Sequence, residues 1–378
     1  MSAAALRVDV VTDDAAFEAM AVAWDELVAS CATSTPFQAH PWLTSWWRSY
    51  GSPGRLRVVR VHDGDRMVAA AALVVERRGP VRLLRPVGAG ISDFGDVLLA
   101  DDVASRTAAL EALVGALLAL DGWDALDVPE ARPGSVMSEL AARWAGGRAV
   151  IPASTCLELP VLPLPELLSG LPGKTAKHIR RKLRRIDEVG VEAVVVAPAE
   201  AADAVDELLA LHAAQWSGRG MNPEHGRDRF RRHLRGAVSA MAGDGRAVLV
   251  RYLHDGRTAG LRLNVADQRL AGAYLAGVDP ALREAVDVAT LMMRHNLELA
   301  EAAGVGTLSL LRGEEEYKFR WRPDAVRNER IVLGRPRSLP AVVHLAAVRG
   351  RGRAVPWVKA RAPWVREIRD RALKTLRR

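Results

Sequence analysis

The stretch LSLLRGEEEYKFRW, residues 308–321, is the most informative part of this chain of 378 residues. Its apolar start predicts a buried strand, and Gly313 permits a sharp turn directly after it. Around this turn lie Arg312, three successive glutamates, Tyr317 and Lys318. In α/β proteins the carboxyl edge of a strand is where ligands bind. The stretch therefore predicts a chemical site, with a solvated charged turn as the alternative.

The composition is that of a globular protein with excess positive charge. Hydrophobic residues make up 49% and charged residues 26%, which excludes a disordered or fibrous class. The net charge of +8 favours anionic partners. Only six of the 53 basic residues are Lys, however, so the abundance of Arg partly reflects compositional bias. Local clusters of charge are therefore more informative than the total.

Several features indicate a soluble, cytoplasmic protein. The two cysteines, Cys31 and Cys156, suggest no disulfide framework, and a reducing compartment is the default. The N-terminus lacks the basic start and long apolar core of a signal peptide. The longest apolar runs, residues 67–75 and 108–120, are shorter than the about 20 residues that span a bilayer.

An internal duplication is predicted from the order of elements. Two Asp-Gly turns, in RVHDG and YLHDG, lie between strand-like runs and predict β-hairpins. Each hairpin is preceded by two helical segments and followed by an amphipathic helix, a glycine and a strand. In chain order, the first copy comprises residues 15–30, 41–50, 60–64, 106–120 and 125–128, and the second comprises residues 199–216, 227–242, 252–256, 288–303 and 307–311.

Three segments resemble a bacterial branch of the GNAT acyltransferase superfamily. They are RGEEEYKFRW, PFQAHPWLTSWWRSYG at residues 36–51 and HAAQWSGRG at residues 212–220. This branch is associated with cellulose or exopolysaccharide biosynthesis and is similar to the Fem-type transferases, which build cell-wall peptide bridges from aminoacyl-tRNA. The segments span most of the chain in the order that the resemblance implies.

The resemblance and the duplication together predict an α/β protein with two tandem GNAT-like domains. Mixed, mostly antiparallel sheets flanked by helices are expected in residues 1–160 and 161–336, with the site in the second domain. The Pro-rich residues 159–171 read as the connector. Residues 337–378 are expected to form a basic helical tail, with a helix over residues 364–376. The tail would dock on its own domain or, alternatively, contact an anionic membrane surface.

The resemblance also implies roles for individual residues in the cleft between the domains. Lys318 would stabilise the oxyanion of a tetrahedral intermediate, and Tyr317 would donate or relay a proton. His212, or an acid among residues 314–316, would accept the nucleophile's proton. The predicted substrate-binding residues are Arg312, Arg219, Trp216, Asp93 and Glu314.

Cofactor binding is the point at which the chain departs from the family pattern. The resemblance implies acetyl-CoA or another acyl-CoA as donor, normally held by a glycine-rich loop at a helix N-terminus. The corresponding residues 278–288, VDPALREAVDV, contain no glycine and place Asp287 where a phosphate would bind. Arg283 is the predicted cofactor contact. The histidine and cysteine spacings predict no metal site.

A basic helix predicts an anionic ligand near the start of the second half. The segment from Lys174 to Arg185 contains seven Lys or Arg in twelve residues and keeps one apolar face. A sugar diphosphate, the end of an aminoacyl-tRNA and the phosphates of coenzyme A are candidates, and a merely exposed face is the alternative. No aromatic residues interleave the charges, which disfavours recognition of nucleic acid alone. The preceding GLPGKT is not a phosphate loop, because Leu168 stands where glycine is needed.

The predicted function is transfer of an acyl group from acyl-CoA to an amine or hydroxyl. The acceptor would be a polar small molecule or glycan, such as a sugar or another cell-envelope component. One alternative is a Fem-like transferase that uses aminoacyl-tRNA, although tRNA is the less favoured partner. A second alternative is a non-catalytic scaffold subunit of a polysaccharide-synthesis complex.

Overall fold

The computed structural model describes residues 6–103, 106–218 and 220–361, and it describes side chains up to residue 352. The strands in this part of the chain are β1 (Arg7–Val11), β2 (Leu56–Asp63), β3 (Arg66–Arg78), β4 (Val81–Pro86), β5 (Leu98–Leu99), β6 (Ala125–Ala131), β7 (Arg148–Pro160), β8 (Glu192–Val195), β9 (Ala247–His254), β10 (Arg257–Ala266), β11 (Leu270–Val278), β12 (Thr307–Arg312) and β13 (Asp324–Gly334). The helices are α1 (Asp14–Glu18), α2 (Ala21–Ser30), α3 (His40–Tyr50), α4 (Arg106–Ala119), α5 (Val136–Ala142), α6 (Leu164–Ser169), α7 (Gly173–Val189), α8 (Ala201–Trp216), α9 (Asp228–Ala242), α10 (Pro280–Ala285), α11 (Val288–Ala302) and α12 (Leu339–Arg361).

The strands form one continuous sheet that is symmetric about its centre. Their order is β1-β2-β3-β4-β6-β13-β7-β12-β11-β10-β9-β8, and the short β5 pairs with β3. From each edge of the sheet toward its centre, the strands follow the chain order of one half: β1, β2, β3, β4 and β6 from one edge, and β8 to β12 from the other. At the centre, the last strands of the two halves, β7 and β13, are exchanged and pair with each other. The predicted α/β class and internal duplication are confirmed, whereas a division at residue 160 stays a prediction.

Helices of the second half cover opposite faces of the sheet. Leu261 and Leu263 of β10 pack into the same core as α8 and α9. Val250 and Tyr252 of β9 pack instead with α7, α10 and α11. Because successive strand residues point to opposite faces, the residue between the two leucines, Arg262, points toward α11.

The two parallel strands of the second half separate after a short contact. β11 and β12 pair over three residues each, from Leu270 to Gly272 and from Thr307 to Ser309. Beyond these positions the strands diverge. A register shift between β10 and β11 makes Tyr274 a bulged residue at the start of the divergence. The result is an opening that reaches through the sheet.

Helices α3 and α9 join the two halves. The hydroxyl of Ser45 donates a hydrogen bond of 2.7 Å to the carbonyl oxygen of His233. The His233 ring packs edge-on against Trp42, with 4.6 Å between ring centroids. The largest apolar core contains residues of both halves, so they share a hydrophobic interior.

The connector and the tail differ in detail from the sequence prediction. Residues 159–171 contain the end of β7 and the short helix α6, which tolerates Pro165 because prolines are accommodated in a helix's first turn. Ala341, Leu345 and Val348 of α12 are buried against the sheet. The helix predicted over residues 364–376 lies outside the described residues.

Candidate functional site

The opening between β11 and β12 forms a cleft of about 480 Å³. Strand β11 contributes one wall, β12 and the turn after it another, and helices α8 and α11 flank the two faces. The lining includes the predicted site residues Asp93, His212, Trp216, Arg283, Arg312, Tyr317 and Lys318. Residues far apart in the sequence therefore lie around one cleft.

An ion pair between the two halves lines this cleft. The carboxylate of Asp93, from the loop after β4, accepts a hydrogen bond from Nε of Arg312 at the end of β12. Burial raises the pKa of Asp93, and the nearby Arg312 guanidinium opposes the rise. Glu130 lies 3.9 Å from the same guanidinium. The first half of the chain thus supplies an acidic group to a cleft formed mainly by the second.

Lys318 is buried and fully engaged with the turn that precedes it. Its ammonium group donates to the carbonyl oxygens of Leu310, Arg312 and Gly313 at 2.9, 3.2 and 3.2 Å. It also lies 2.8 Å from the carboxylate of Glu315. These contacts use every N–H of the ammonium group, so Lys318 holds the turn in its conformation. Its predicted role as an oxyanion donor stays a prediction and would require this arrangement to change.

The remaining side chains of the charged turn divide into two sets. Tyr317 and Glu315 line the cleft. Burial raises the pKa of the Tyr317 hydroxyl, an effect that Arg262 opposes. Glu314 and Glu316 are exposed and lie outside the set of lining residues. Glu315, one of the three acids considered as proton acceptors, therefore lies at the cleft, whereas Glu314, the predicted substrate-binding residue, does not line it.

His212 belongs to a hydrogen-bonded chain of side chains. Its Nδ1 lies 2.8 Å from the carbonyl oxygen of Ala276, and its Nε2 lies 3.1 Å from Nδ1 of His225. The carbonyl requires a proton on Nδ1 of His212, so neutral His212 accepts at Nε2 from His225. Nε2 of His225 lies 3.4 Å from Nδ2 of Asn222, which can donate to it.

Both histidines of this chain favour the neutral form. Burial lowers the pKa of His212. Burial and the neighbouring His212 lower the pKa of His225 to about 4. The lone pair of His212 is consequently occupied by His225, and a role as general base requires His225 to move or to share in the proton transfer.

The end of α8 closes one side of the cleft. The Trp216 ring lies 6.2 Å from that of His212 and is partly exposed. Oε1 of Gln215 accepts a hydrogen bond of 2.9 Å from the backbone N–H of Val278, which ties α8 to β11. Arg219, another predicted site residue, lies outside the described residues.

The N-terminus of α11 is occupied by a carboxylate of the chain itself. Asp287 caps the helix, accepting a hydrogen bond of 2.9 Å from the backbone N–H of Thr290. It also pairs with Lys182, and with Arg320 at 3.3 Å. Although burial opposes the shift, hydrogen bonds from Lys182 and Thr290 lower the pKa of Asp287 to about 2. A pyrophosphate does not fit at this helix end, because a fixed negative charge already takes its place.

The basic helix is α7, and its apolar residues Ala176, Ile179 and Ile186 are buried as expected. Lys182 turns toward Asp287 of α11. The other basic residues of this segment are exposed and form a surface that we call the α7 basic face: Lys174, Lys177, Arg180, Arg181, Arg184 and Arg185. This face lies on the helix that packs against α11, on the α11 side of the sheet.

Three lining or supporting residues were missed by sequence reasoning: Arg262, Asn296 and His225. A charged residue between two core leucines in GLRLNV was a signal for Arg262 that local pattern analysis could have used. Asn296 and His225 carry no such local signal, because their positions depend on how α11 and the loop after α8 pack.

The comparisons with known proteins agree with this geometry. Residues 173–319 match a family model described as an acetyltransferase (GNAT) domain. The chain therefore carries a GNAT acetyltransferase-type domain, and the predicted enzyme class, a GNAT-type acyltransferase, is confirmed. No curated protein matches the chain in a sequence search.

Several solved structures share the fold at low sequence identity. FemX is 12% identical over 85% of this chain and 96% of FemX, with a TM-score of 0.60. A conserved protein of unknown function from Bacteroides thetaiotaomicron VPI-5482 is 12% identical over 87% of this chain and 100% of that protein, with a TM-score of 0.58. The L-PGS of Bacillus licheniformis is 12% identical, covers 89% of this chain and 96% of its own, and gives a TM-score of 0.51.

Membrane-spanning helices and metal-binding clusters are both absent from the described residues. Among them, no helix is both long and apolar enough to cross a membrane. Within the same residues, no cluster of three or more His, Cys, Asp or Glu side chains is placed to hold a metal ion.

Proposed function

We propose that this protein transfers an acyl group to an amine or hydroxyl of a polar acceptor in the cleft between β11 and β12. The observation that carries the proposal is that this cleft reaches through the sheet, with α8 on one face and α11 on the other. A donor and an acceptor entering from opposite faces could meet at the diverging strands. Such positioning is a major source of rate enhancement in group transfer.

The chemistry requires one bond to form and one to break at the acyl carbon. The acceptor nitrogen or oxygen attacks the carbonyl carbon, and the bond to the donor's sulfur or oxygen then breaks. The leaving group takes a proton, and the nucleophile loses one. His212 and Asp93 are the candidate acceptors for the nucleophile's proton, since both line the cleft. Backbone N–H groups of β11 beyond the pairing with β12 are candidate donors to the oxyanion.

The carrier of the acyl group has two candidates. Acyl-CoA is the donor that the resemblance implies, but Asp287 opposes a pyrophosphate at α11. A second candidate is aminoacyl-tRNA, and the α7 basic face next to α11 favours it because it can bind a polyanion. The shared fold with FemX is compatible with this candidate. The exopolysaccharide-associated group that the sequence resembles suggests a glycan or another cell-envelope component as acceptor, and the proposed compartment remains the cytoplasm.

Titration calorimetry with acetyl-CoA and with an aminoacyl-tRNA tests these donors directly. Saturable binding of acetyl-CoA followed by acyl transfer to an amine acceptor would support the CoA route. Salt-dependent tRNA binding that weakens in an Arg181→Glu/Arg184→Glu variant would support the second route. The matched control is Arg77→Glu, an exposed arginine on β3 in the first half. If neither donor bound, the result would contradict the transferase proposal and favour a scaffold role.

A further inference from the structure

We infer that the α11 side of the cleft contains a binding site for an anionic oxygen group of the substrate, held by Arg262. The ligand chemistry is a carboxylate or phosphate on a molecule that also carries an N–H or O–H donor. The inference rests on the proposed function for its role in acyl transfer. Whether the site exists can be established by binding measurements alone, without acyl transfer.

The placement of Arg262 follows from the pattern of β10. Its neighbours Leu261 and Leu263 are buried in the core shared with α8. Arg262 therefore points to the opposite face, where Met292 and Met293 of α11 line the cleft with it. In the sheet it lies opposite Ala276 of β11, another lining residue. An arginine at this position presents its guanidinium to the interior of the cleft.

The guanidinium of Arg262 lacks a partner in the described part of the chain. Its Nε atom is buried and has no hydrogen-bond acceptor. No carboxylate of the described residues forms an ion pair with it, whereas Arg251 on the adjacent strand pairs with Glu207 at 2.9 Å. Burial lowers the pKa of Arg262, and the nearby Tyr317, Tyr252 and Glu315 oppose this shift without forming an ion pair with it. Arg262 is half-buried at the cleft. Cations withdrawn from water are normally paired because of their desolvation cost, so a guanidinium that faces a cleft without an ion pair points to an anionic ligand.

Asn296 of α11 provides a second unsatisfied polar group in the same cleft. Its side chain is 4% exposed, and its amide oxygen has no hydrogen-bond partner. Buried amide oxygens are usually satisfied, and an exception needs an explanation. An oxygen that accepts and a guanidinium that donates are complementary to a ligand with one donor group and one anionic group. The rest of this wall, Met292 and Met293, can pack against an apolar segment between them.

The anionic group could belong to either of two parts of a donor. It could be a terminal carboxylate of the acyl unit itself, or a phosphate of the carrier. Both are planar or branched oxygen groups that a guanidinium can bind with two hydrogen bonds. In either case the site selects a charged ligand, and a donor without an anionic group near this wall would leave the Arg262 guanidinium without an anionic partner.

Binding measurements on Arg262 variants distinguish these sources. Wild type, Arg262→Met and Arg262→Lys are titrated with succinate, inorganic phosphate, acetyl-CoA and succinyl-CoA. The matched control is Arg257→Met, an exposed arginine on the same strand. Arg262→Met should weaken binding of the anionic ligands about tenfold or more, and Arg262→Lys should weaken it less, since one charge-assisted bond remains. A selective loss for succinyl-CoA assigns the site to the acyl unit, and an equal loss for both thioesters assigns it to the carrier.

Thermal unfolding separates a binding role from a structural one. Arg262 is half-buried and makes no ion pair, so replacing it with Met removes a desolvation cost, and Arg262→Met should be at least as stable as wild type. A markedly less stable variant would mean that Arg262 is a structural residue and would overturn the inference. Equal affinity of wild type and Arg262→Met for every probe, or no saturable binding of any probe to wild type, would also overturn it. These readouts do not require acyl transfer, so the proposed function can fail independently.

Discussion

The two halves of this protein contain the same pair of diverging parallel strands, closed in the first half and open in the second. In the first half, β4 and β6 pair through Leu83 and Leu84 before they separate. The cavity beside them measures about 20 Å³, compared with about 480 Å³ for the cleft between β11 and β12. The duplicated fold therefore has one open cleft, in the second half, and a filled one in the first.

Aromatic side chains fill the first half's opening. Phe94 packs against Phe37 with 5.8 Å between ring centroids, and the indole N–H of Trp42 donates a 2.9 Å hydrogen bond to Ser92. The residue next to Phe94, Asp93, points instead to Arg312 of the second half. One loop thus closes its own half's opening and supplies an acid to the other half's cleft. The first half acts as a supporting wall of the site.

The largest effect is expected from closing the open cleft. Ala276→Trp places an indole in the space between β11 and α11, and it should lower acyl transfer by about 100-fold or more by displacing the reacting groups. Steady-state kinetics with the donor that binds wild type measure the loss. Ala276→Ser is the control, because it keeps the space and should retain activity. Near-normal turnover in the Trp variant would mean that the chemistry occurs elsewhere.

Removing an aromatic ring that fills the first half's opening should lower the stability of the protein. Phe94→Ala removes a fully buried ring and should lower the free energy of unfolding by about 3–5 kcal/mol, as for other large-to-small core changes. Urea unfolding followed by tryptophan fluorescence measures the change. Phe319→Ala is the control, since Phe319 is 46% exposed and its loss should change stability by no more than about 0.5 kcal/mol. A similar cost for both would show that the first half's opening is not tightly packed.

Replacing Lys318 tests whether this residue has a catalytic or a positioning role in the second half. Lys318→Met leaves three carbonyl oxygens without their donor, so stability should fall by roughly 1–3 kcal/mol together with turnover. A purely catalytic Lys318 would instead give loss of turnover at unchanged stability. Thermal unfolding and kinetics on the same preparation decide between them. Glu314→Gln, at an exposed position outside the cleft, should leave both quantities unchanged.

Local patterns in the sequence predicted much of the fold but less of the site. The two Asp-Gly hairpins, the strand before Gly313 and the apolar face of α7 were predictable because turn chemistry and periodicity are local properties. The exchange of β7 and β13 was not, since it depends on pairing between distant strands. Asp93 and Arg312 were each nominated through the resemblance, yet their contact across 219 residues appears only in the folded chain. The same holds for the partners of Lys318.

A smaller effect is expected at the contact that joins the halves. Burial lowers the pKa of His233 to about 3, below its ordinary value of 6.5. The unfolded chain therefore takes up this proton first as the pH falls, so His233 reduces stability progressively between about pH 6.5 and pH 3. His233→Phe keeps an aromatic ring against Trp42 and removes the titration. The stability of wild type relative to this variant should fall with decreasing pH, by up to about 1.4 kcal/mol per pH unit in that range. Urea unfolding at pH 7, 6 and 5 measures the stability of both proteins as a function of pH. Parallel curves would show that His233 is hydrated in the folded state. The two halves would then be less tightly packed at α3 and α9 than their contacts indicate.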